Sequence, residues 1–377
     1  MQKNKKSNKK GLVVLAVITV VVLVVLGKFF FGVLKLSPVV FQYFTNNSIQ
    51  LKQTNQRVTV LLLGIGGGTH DGPNLTDTII FASIDPKTKN ITLVSIPRDL
   101  WSSDLQAKVN TAYAFGEEKK KGEGIPLARS VMEKIVGQKI NYVVRIDFDG
   151  FVKAVDLLGG LDITVDQTLD DYEYPIEGKE DDPCGHKQEE LAALATVSSQ
   201  LEAFPCRYEH IHFDKGLQHM DGKMALEYVR SRHALGNEGS DFARSKRQEK
   251  VITSAKEKFF STETLLNPSK VVNLYTVLSQ SIDTDIKQDE FDDFIRLSQA
   301  MKSAKIHSSV IDTGDEQEKR QGLLVHPEQA GDYNNQWVLI PKAGNGNFSE
   351  IQKYIDCEIK VGSCTTSPTP STSQKQK

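Results

Sequence analysis

The first 28 residues contain no acid, although they carry six lysines. Net charge over all 377 residues is almost nil, −2, which excludes a globally basic nucleic-acid binder. Setting those six lysines aside leaves 40 of the 46 basic residues against 48 acidic ones. A basic head therefore precedes an acidic body, the pattern of a membrane-facing tail. Cysteine is also scarce. There are four, with no C-x-x-C among them, so thiolate zinc ligation is not expected. Hydrophobic content of 39% and charged content of 25% exclude a fibrous or largely disordered chain. There is no internal repeat, and the length allows one large α/β domain or two ordinary ones.

Charge is missing altogether from residues 11–27, GLVVLAVITVVVLVVLG. As a helix this stretch would cover roughly 26 Å, near the ~30 Å hydrocarbon core. Phe29, Phe30 and Phe31 extend it, and Lys28 can snorkel to the headgroups. Gly27-Lys28-Phe29 is a poor cleavage site. The expected organisation is a cytoplasmic tail over 1–10, a transmembrane signal anchor over 11–34 and everything beyond it outside the cell membrane. An oxidising exterior favours disulfides. Four cysteines allow three connectivities, and the local pairs Cys184–Cys206 and Cys357–Cys364 are the expected ones. His210-Ile211-His212 sets two imidazoles on one strand face and is read as surface histidine rather than a metal site.

Residues 35–56 read as a stalk, 57–345 as an extracellular domain, and 346–377 as a C-terminal segment with a Ser/Thr/Pro-rich disordered tail. Strands are expected at 57–64, 77–84 and 91–96. The last two are joined by the polar turn Asp85-Pro86-Lys87-Thr88-Lys89-Asn90, an antiparallel hairpin. A helix is expected at 125–136, and the strand at 142–146, helix at 148–158 and strand at 161–165 after it read as a crossover unit. The fold class is α/β, an α/β/α sandwich on a mixed central sheet. Residues 167–207 break the pattern as an acidic surface excursion closed by a disulfide. Helices follow at 221–229, capped by Asp221, at 240–259, 268–279 and 289–302. Late strands at 306–311 and 337–340 precede a short helix at 349–355.

Three segments concentrate chemistry. Gly64-Ile65-Gly66-Gly67-Gly68 follows the first strand, but no Gly-Lys-Ser/Thr comes after it, which excludes a P-loop. The loop carries Asp71, and Asp77 lies close by on the same sheet edge. Two such carboxylates with spare water positions suit magnesium beside phosphates. Ile96-Pro97-Arg98-Asp99-Leu100-Trp101 places an arginine at a strand end, where it can grip phosphate through its fork. Residues 228–250 hold six bases and three acids on an otherwise acidic body. With Ser240 as cap, Asp241, Arg244 and Gln248 share one helix face, while Lys246 and Arg247 are expected to point to solvent. Arg230 and Arg232 project together only if the backbone there is extended. Clustered like charges cost energy unless an anion sits among them.

Together the stretches LTDTIIFASIDPKTKNITLVSIPRDLW, KVNTAYAFG, INYVVRIDFDGFVKAVDLLGGLDITV and GLQHMDGKMALEYVRSRHALGNEGSDFARSKRQEKVI resemble the LytR-CpsA-Psr family over about residues 57–310. The resemblance implies a membrane-anchored phosphotransferase facing the cell wall, with a long apolar groove for lipid. It would take a phosphoryl-linked glycan or anionic polymer from a polyprenyl-(pyro)phosphate carrier to peptidoglycan or another wall glycan. By position, Asp77 would hold magnesium, with manganese as an alternative. Arg98, Arg230, Arg232, Arg244 and Gln248 would hold pyrophosphate, and Asp99 or Asp241 would serve as base. Two departures stand out. Gly66 and Gly67 stand where the family often has the aspartate of a G-x-D pattern, which Asp71 would have to replace. Leu75 stands where an arginine is common, two residues before Asp77. The same residues would suit a polyprenyl-pyrophosphate phosphatase or pyrophosphatase. A non-catalytic module binding wall polymer or isoprenoid lipid is the other alternative. Nucleic acid is not an expected partner, since ten residues before the anchor cannot make a DNA-binding domain.

Overall fold

The computed structural model describes residues 49–364 apart from 69–71, 195–196, 198, 260, 266 and 316–319. The tail and anchor and most of the stalk read from the sequence lie outside those residues. Among the described residues no helix is long and apolar enough to cross a membrane.

Along the chain come strands β1 (Val58–Ile65), β2 (Thr76–Asp85) and β3 (Asn90–Ser95), helices α1 (Ala112–Lys119) and α2 (Gly124–Val136), strand β4 (Tyr142–Asp147) and helix α3 (Phe148–Leu158). Four short strands follow: β5 (Leu161–Val165), β6 (Leu169–Pro175), β7 (Tyr208–Phe213) and β8 (Gly216–Met220). Then come helices α4 (Gly222–Arg230), α5 (Asp241–Phe259) and α6 (Pro268–Ser281), strand β9 (Ile282–Thr284), helix α7 (Phe291–Ala300), strand β10 (Lys305–Val310) and helix α8 (Ser349–Val361).

The central sheet has the order β9-β4-β1-β2-β3-β10. Antiparallel hairpins join β1 to β2 and β2 to β3, whereas β1–β4 and β3–β10 are parallel, so the sheet is mixed. Its side chains alternate between two dry faces. Leu61, Leu63, Ile79, Phe81 and Val94 pack against Tyr113, Met132, Ile135, Ile351 and Ile355 of α1, α2 and α8. Val58, Val60, Ile80, Ala82 and Leu93 meet Leu297 and Met301 at α7, with Ile252 of α5 beside them. The result is a three-layer α/β/α arrangement. Leu51, from the end of the expected stalk, is buried in the second of these cores.

The expected crossover through α3 does not form. β5 leaves the main sheet and pairs antiparallel with β8. Its alternation explains why: Leu161, Ile163 and Val165 are buried while Asp162 and Thr164 are exposed, so only one face can be covered. β6 pairs with β7 to form a second ribbon. Thus part of the supposed surface excursion is a built wall, and the loop beyond it is closed by Cys184–Cys206. Cys357–Cys364 ties the end of α8, as expected. Beneath the ribbons a third core gathers Val155 and Leu158 of α3, Ala225 and Tyr228 of α4, and Val251 of α5. Helix α3 therefore fills a core with its apolar side.

Candidate active site: an arginine cleft

The cleft lies where β2, β3, α4, α5 and the β6–β7 ribbon converge. Asp77 is the second residue of β2, and Arg98 follows β3 directly after Pro97. Arg98 Nη1 donates to Asp77 Oδ1. On its far side Arg98 faces Asp99, whose Oδ2 is 3.5 Å from Nε, while Asp99 Oδ1 accepts from Lys108 Nζ at 2.7 Å. Asp99 thus sits between two cations behind the arginine.

Arg230 is the last residue of α4, a helix capped by Asp221, whose carboxylate accepts from Met224 N at 2.9 Å. At Ser231 the chain turns extended, with φ −49° and ψ 129°. What holds that turn is Asp171 of β6, fully buried. Its Oδ2 accepts from Ser231 Oγ at 2.7 Å and from the N–H groups of Arg232 and His233, both at 3.2 Å. The extended step brings Arg230 and Arg232 to the same cleft. Arg230 lies 4.3 Å above the Phe148 ring, and Arg232 Nη2 donates to the Asp77 carbonyl at 3.2 Å.

Helix α5 supplies the remaining wall. Ser240 caps it, accepting from Ala243 N at 3.2 Å. One turn apart, Arg244 and Gln248 face the cleft, and Asp241 pairs with Arg244 at 2.5 Å. Gln248 accepts from Ser95 Oγ at 3.4 Å, and Ser95 lies 3.0 Å from Ser245 Oγ, which fastens the helix to the end of β3. Asp77, Arg98, Arg230, Arg232, Arg244 and Gln248 line one cavity of about 190 Å³. Asp241 lines an adjoining recess shared with Asp77 and Arg98. Among the predicted site residues, Asp71 lies outside the described residues.

The electrostatics are those of an anion site. Burial, then the neighbouring charges of Arg244 and Arg98, push Arg232 down to about 9, with Asp77 and Asp241 opposing. Burial also works against the charge of Arg98, but Asp77 and Asp99 outweigh it and hold that group above its ordinary range. Among the acids of the cleft, Asp77 is the one that faces both Arg98 and Arg232. A phosphate entering would relieve Arg232 most.

Arg247 corrects the sequence reading. It does not point to solvent but is 2% exposed. Nε donates to the Tyr228 carbonyl at 2.8 Å, Nη2 to the Ser231 carbonyl at 2.7 Å, and Nη1 to the Glu238 carbonyl at 2.7 Å and Glu238 Oε2 at 3.1 Å. The physical reason is the end of α4, whose last carbonyls lack intrahelical partners. A guanidinium from α5 fills that need. Lys246 is exposed, as expected, with its ammonium 4.4 Å from the Phe242 ring. Asp171 is the residue that sequence reasoning missed. It stood inside an acidic run, and only its pairing with the 231–233 turn distinguishes it from the half-buried Asp170 and Glu173.

Of the carboxylates that line the cleft, Asp171 is spent on the Ser231 turn and Glu173 faces His233 at 3.7 Å, which leaves Asp77 for a divalent cation. Its Oδ2 accepts no hydrogen bond from a described residue. That donor set fits magnesium held by one carboxylate and completed by substrate phosphate oxygens and water. Nearby, Gly67 has φ +71°, and a Cβ there would lie 2.8 Å from Asp147 Cβ, so the loop runs tightly against the end of β4. Asp147 is spent locally, accepting from Gly150 N at 2.8 Å and Arg145 Nη1 at 3.3 Å. Leu75 donates its N–H to the Gly72 carbonyl at 2.8 Å.

The chain is similar to several known proteins. A polyisoprenyl-teichoic acid–peptidoglycan teichoic acid transferase from Bacillus mycoides is 26% identical over 243 residues, 63% of this chain and 64% of that protein. One of the same name from Enterococcus faecalis is 29% identical over 255 residues, 65% and 66% of the two chains. The matched region thus spans just under two thirds of these relatives' own length. The crystal structure of Bacillus subtilis TagV shares the fold, with a TM-score of 0.51 and 22% identity, covering 82% of this chain and 99% of that one. The LytR_cpsA_psr family model matches residues 40–336, and the chain belongs to that family.

Proposed function

We propose that this protein transfers a phosphoryl-linked glycan or anionic polymer from a polyprenyl-pyrophosphate carrier to a wall acceptor such as peptidoglycan. The observation that carries the proposal is the convergence of Arg98, Arg230, Arg232 and Arg244 on one cleft around the Asp77 carboxylate. Such a cleft is built for a diphosphate. The activity for which the relatives are named supplies the chemical class.

Phosphoryl transfer depends on positioning and charge neutralisation. The acceptor hydroxyl would attack the sugar-bearing phosphorus, and the bond to the bridging oxygen would break. Negative charge gathers on the departing polyprenyl phosphate, where the four arginines stabilise it. Asp77 would hold magnesium, or manganese in its place, which when bound neutralises phosphate oxygens. Asp241, lining the recess beside Arg98, is better placed to take the acceptor proton than Asp99, each of whose oxygens faces a cation. The lysine-rich head and residues 11–34 would anchor the enzyme with its domain outside the cell membrane, an environment in which both disulfides persist.

The test is incubation of the full-length protein with a labelled polyprenyl-pyrophosphate glycan and peptidoglycan. Label in the acceptor is the expected result. Inorganic phosphate released without transfer would replace this reading with a hydrolase, and neither product would leave a binding module. Protease shaving of intact cells tests the topology: the domain should be digested, and its protection would overturn the external placement.

A further inference from the structure

On the outer face of the β6–β7 ribbon, away from the arginines, three metal-ligating side chains meet. Asp170 and His212 are directly opposed across the two strands. Asp170 Oδ1 lies 2.7 Å from His212 Nδ1 and 3.0 Å from His210 Nε2. All three ligand atoms lie within 4.8 Å of one another. Ligands about 2.0–2.2 Å from a tetrahedral centre stand roughly 3.3–3.5 Å apart, so only small side-chain adjustments separate this cluster from a coordination site.

Two further features prepare it. The second nitrogen of His212, Nε2, is 3.2 Å from Asp214 Oδ1. A carboxylate on the remote nitrogen of a ligating histidine is the usual device that fixes its tautomer and raises its basicity. The ribbon also loses register between Asp171 and Tyr174, an irregularity opposite His210. There the Tyr172 ring stacks on His210, with centroids 4.0 Å apart and planes 2° from parallel. Bulges of this kind commonly re-aim side chains beside functional sites. Here one ring is held flat by an aromatic and the other by a carboxylate.

We propose that Asp170, His210 and His212 form a binding site for a divalent d-block cation, zinc being the representative, with Asp214 as the positioning residue of His212. Two imidazoles and one carboxylate exclude magnesium and calcium as preferred occupants, since those take oxygen ligands. Three protein ligands leave a position for water. The site's location suggests a mechanical role. The same strand that carries Asp170 outward carries Asp171 inward onto the Ser231 turn, and the Asp170 carbonyl accepts from Leu235 N at 2.8 Å. A cation joining β6 to β7 therefore pins the strand that holds Arg230 and Arg232 in the cleft. The proposal stands independently of the transferase reading.

The test is isothermal titration of the full-length protein, stripped with chelator and kept in detergent without reductant, using zinc chloride. One zinc per chain is expected. Asp170→Ala, His210→Ala and His212→Ala should each weaken binding at least tenfold, and Asp214→Ala by about 10–100-fold. His219→Ala serves as control, because His219 pairs with Asp162 alone, at 2.7 Å, and should leave affinity unchanged. Copper(II) bound to the unaltered protein should show nitrogen hyperfine splitting from two imidazoles, a readout that needs no variant. Absence of stoichiometric zinc binding would overturn the proposal. So would a His210→Ala/His212→Ala double variant that binds zinc as tightly as the parent. Excess magnesium displacing zinc would do so as well.

Discussion

Helix α5 has a recess on either side. One holds Arg98, Arg230, Arg232 and Arg244, and the other holds Arg247 with Lys246, Lys250 and Glu238. The second is the larger, about 280 Å³ against about 190 Å³. By size the second is the stronger candidate, and its Arg247 is the more deeply buried, 2% exposed, whereas the arginines of the first are half-buried. Hydrogen bonding reverses that ranking. Arg247 spends its nitrogens on three backbone carbonyls and Glu238, and Lys250 is tied to Asp166 at 2.5 Å. Across the helix, Arg232 donates to one carbonyl and is crowded by two other guanidiniums. An arginine marks an anion site when its charge lacks an answer in the fold. An arginine whose donors are all answered is a staple.

The comparison predicts opposite consequences for residues three positions apart. Arg247→Ala should have the largest effect and act on folding. Removing a fully engaged buried guanidinium orphans the carbonyls of Tyr228, Ser231 and Glu238 and leaves Glu238 without its partner, at a cost of about 3–5 kcal/mol. Thermal denaturation should show a fall of ten degrees or more, or no folded protein. A variant that melts like the parent would remove the distinction.

Next come Arg98→Ala and Arg244→Ala. Each should lower glycan transfer by about 10²-fold, or ~3 kcal/mol, while circular dichroism stays unchanged. Full activity in both would place the anion site elsewhere. Smaller and opposite in sign is Arg232→Met. The folded-state value of Arg232, about 9, lies well below that of a free arginine. Its charge therefore opposes folding below about pH 9, and that opposition fades as pH rises through 9. At pH 7 the methionine variant should melt a few degrees higher than the parent without phosphate. Inorganic pyrophosphate should then stabilise the parent and not the variant. A lower melting temperature without phosphate would contradict the sign. Smallest of all is Lys246→Ala, exposed on the helix, which should change transfer by less than twofold.

The contrast also explains what the sequence could show. The central sheet was legible because β1 to β3 carry continuous apolar runs joined by a polar turn. The cleft was legible because Arg98 stands after a strand and Arg244 and Gln248 share a helix face, while the family resemblance joined them with Arg230 and Arg232 into one site. Arg247 was not, since i,i+3 spacing from Arg244 describes where a side chain leaves the helix but not the unpaired carbonyls of α4 awaiting it. Asp171 was hidden for the converse reason: among Asp170, Asp171 and Glu173, only the ribbon's pairing decides which carboxylate turns inward. The departure of β5 from the main sheet was foreshadowed by its alternation, yet the preceding helix made a crossover the simpler reading.

The central claim is that a diphosphate occupies the Arg98–Arg244 side of α5 rather than the larger recess opposite. The most direct measurement is a structure of the protein with a polyprenyl-pyrophosphate glycan bound. Density for the two phosphates within hydrogen-bonding distance of Arg98, Arg230, Arg232 and Arg244 is the expected result. Phosphate density beside Lys246 and Arg247, with the cleft filled by water, would contradict it.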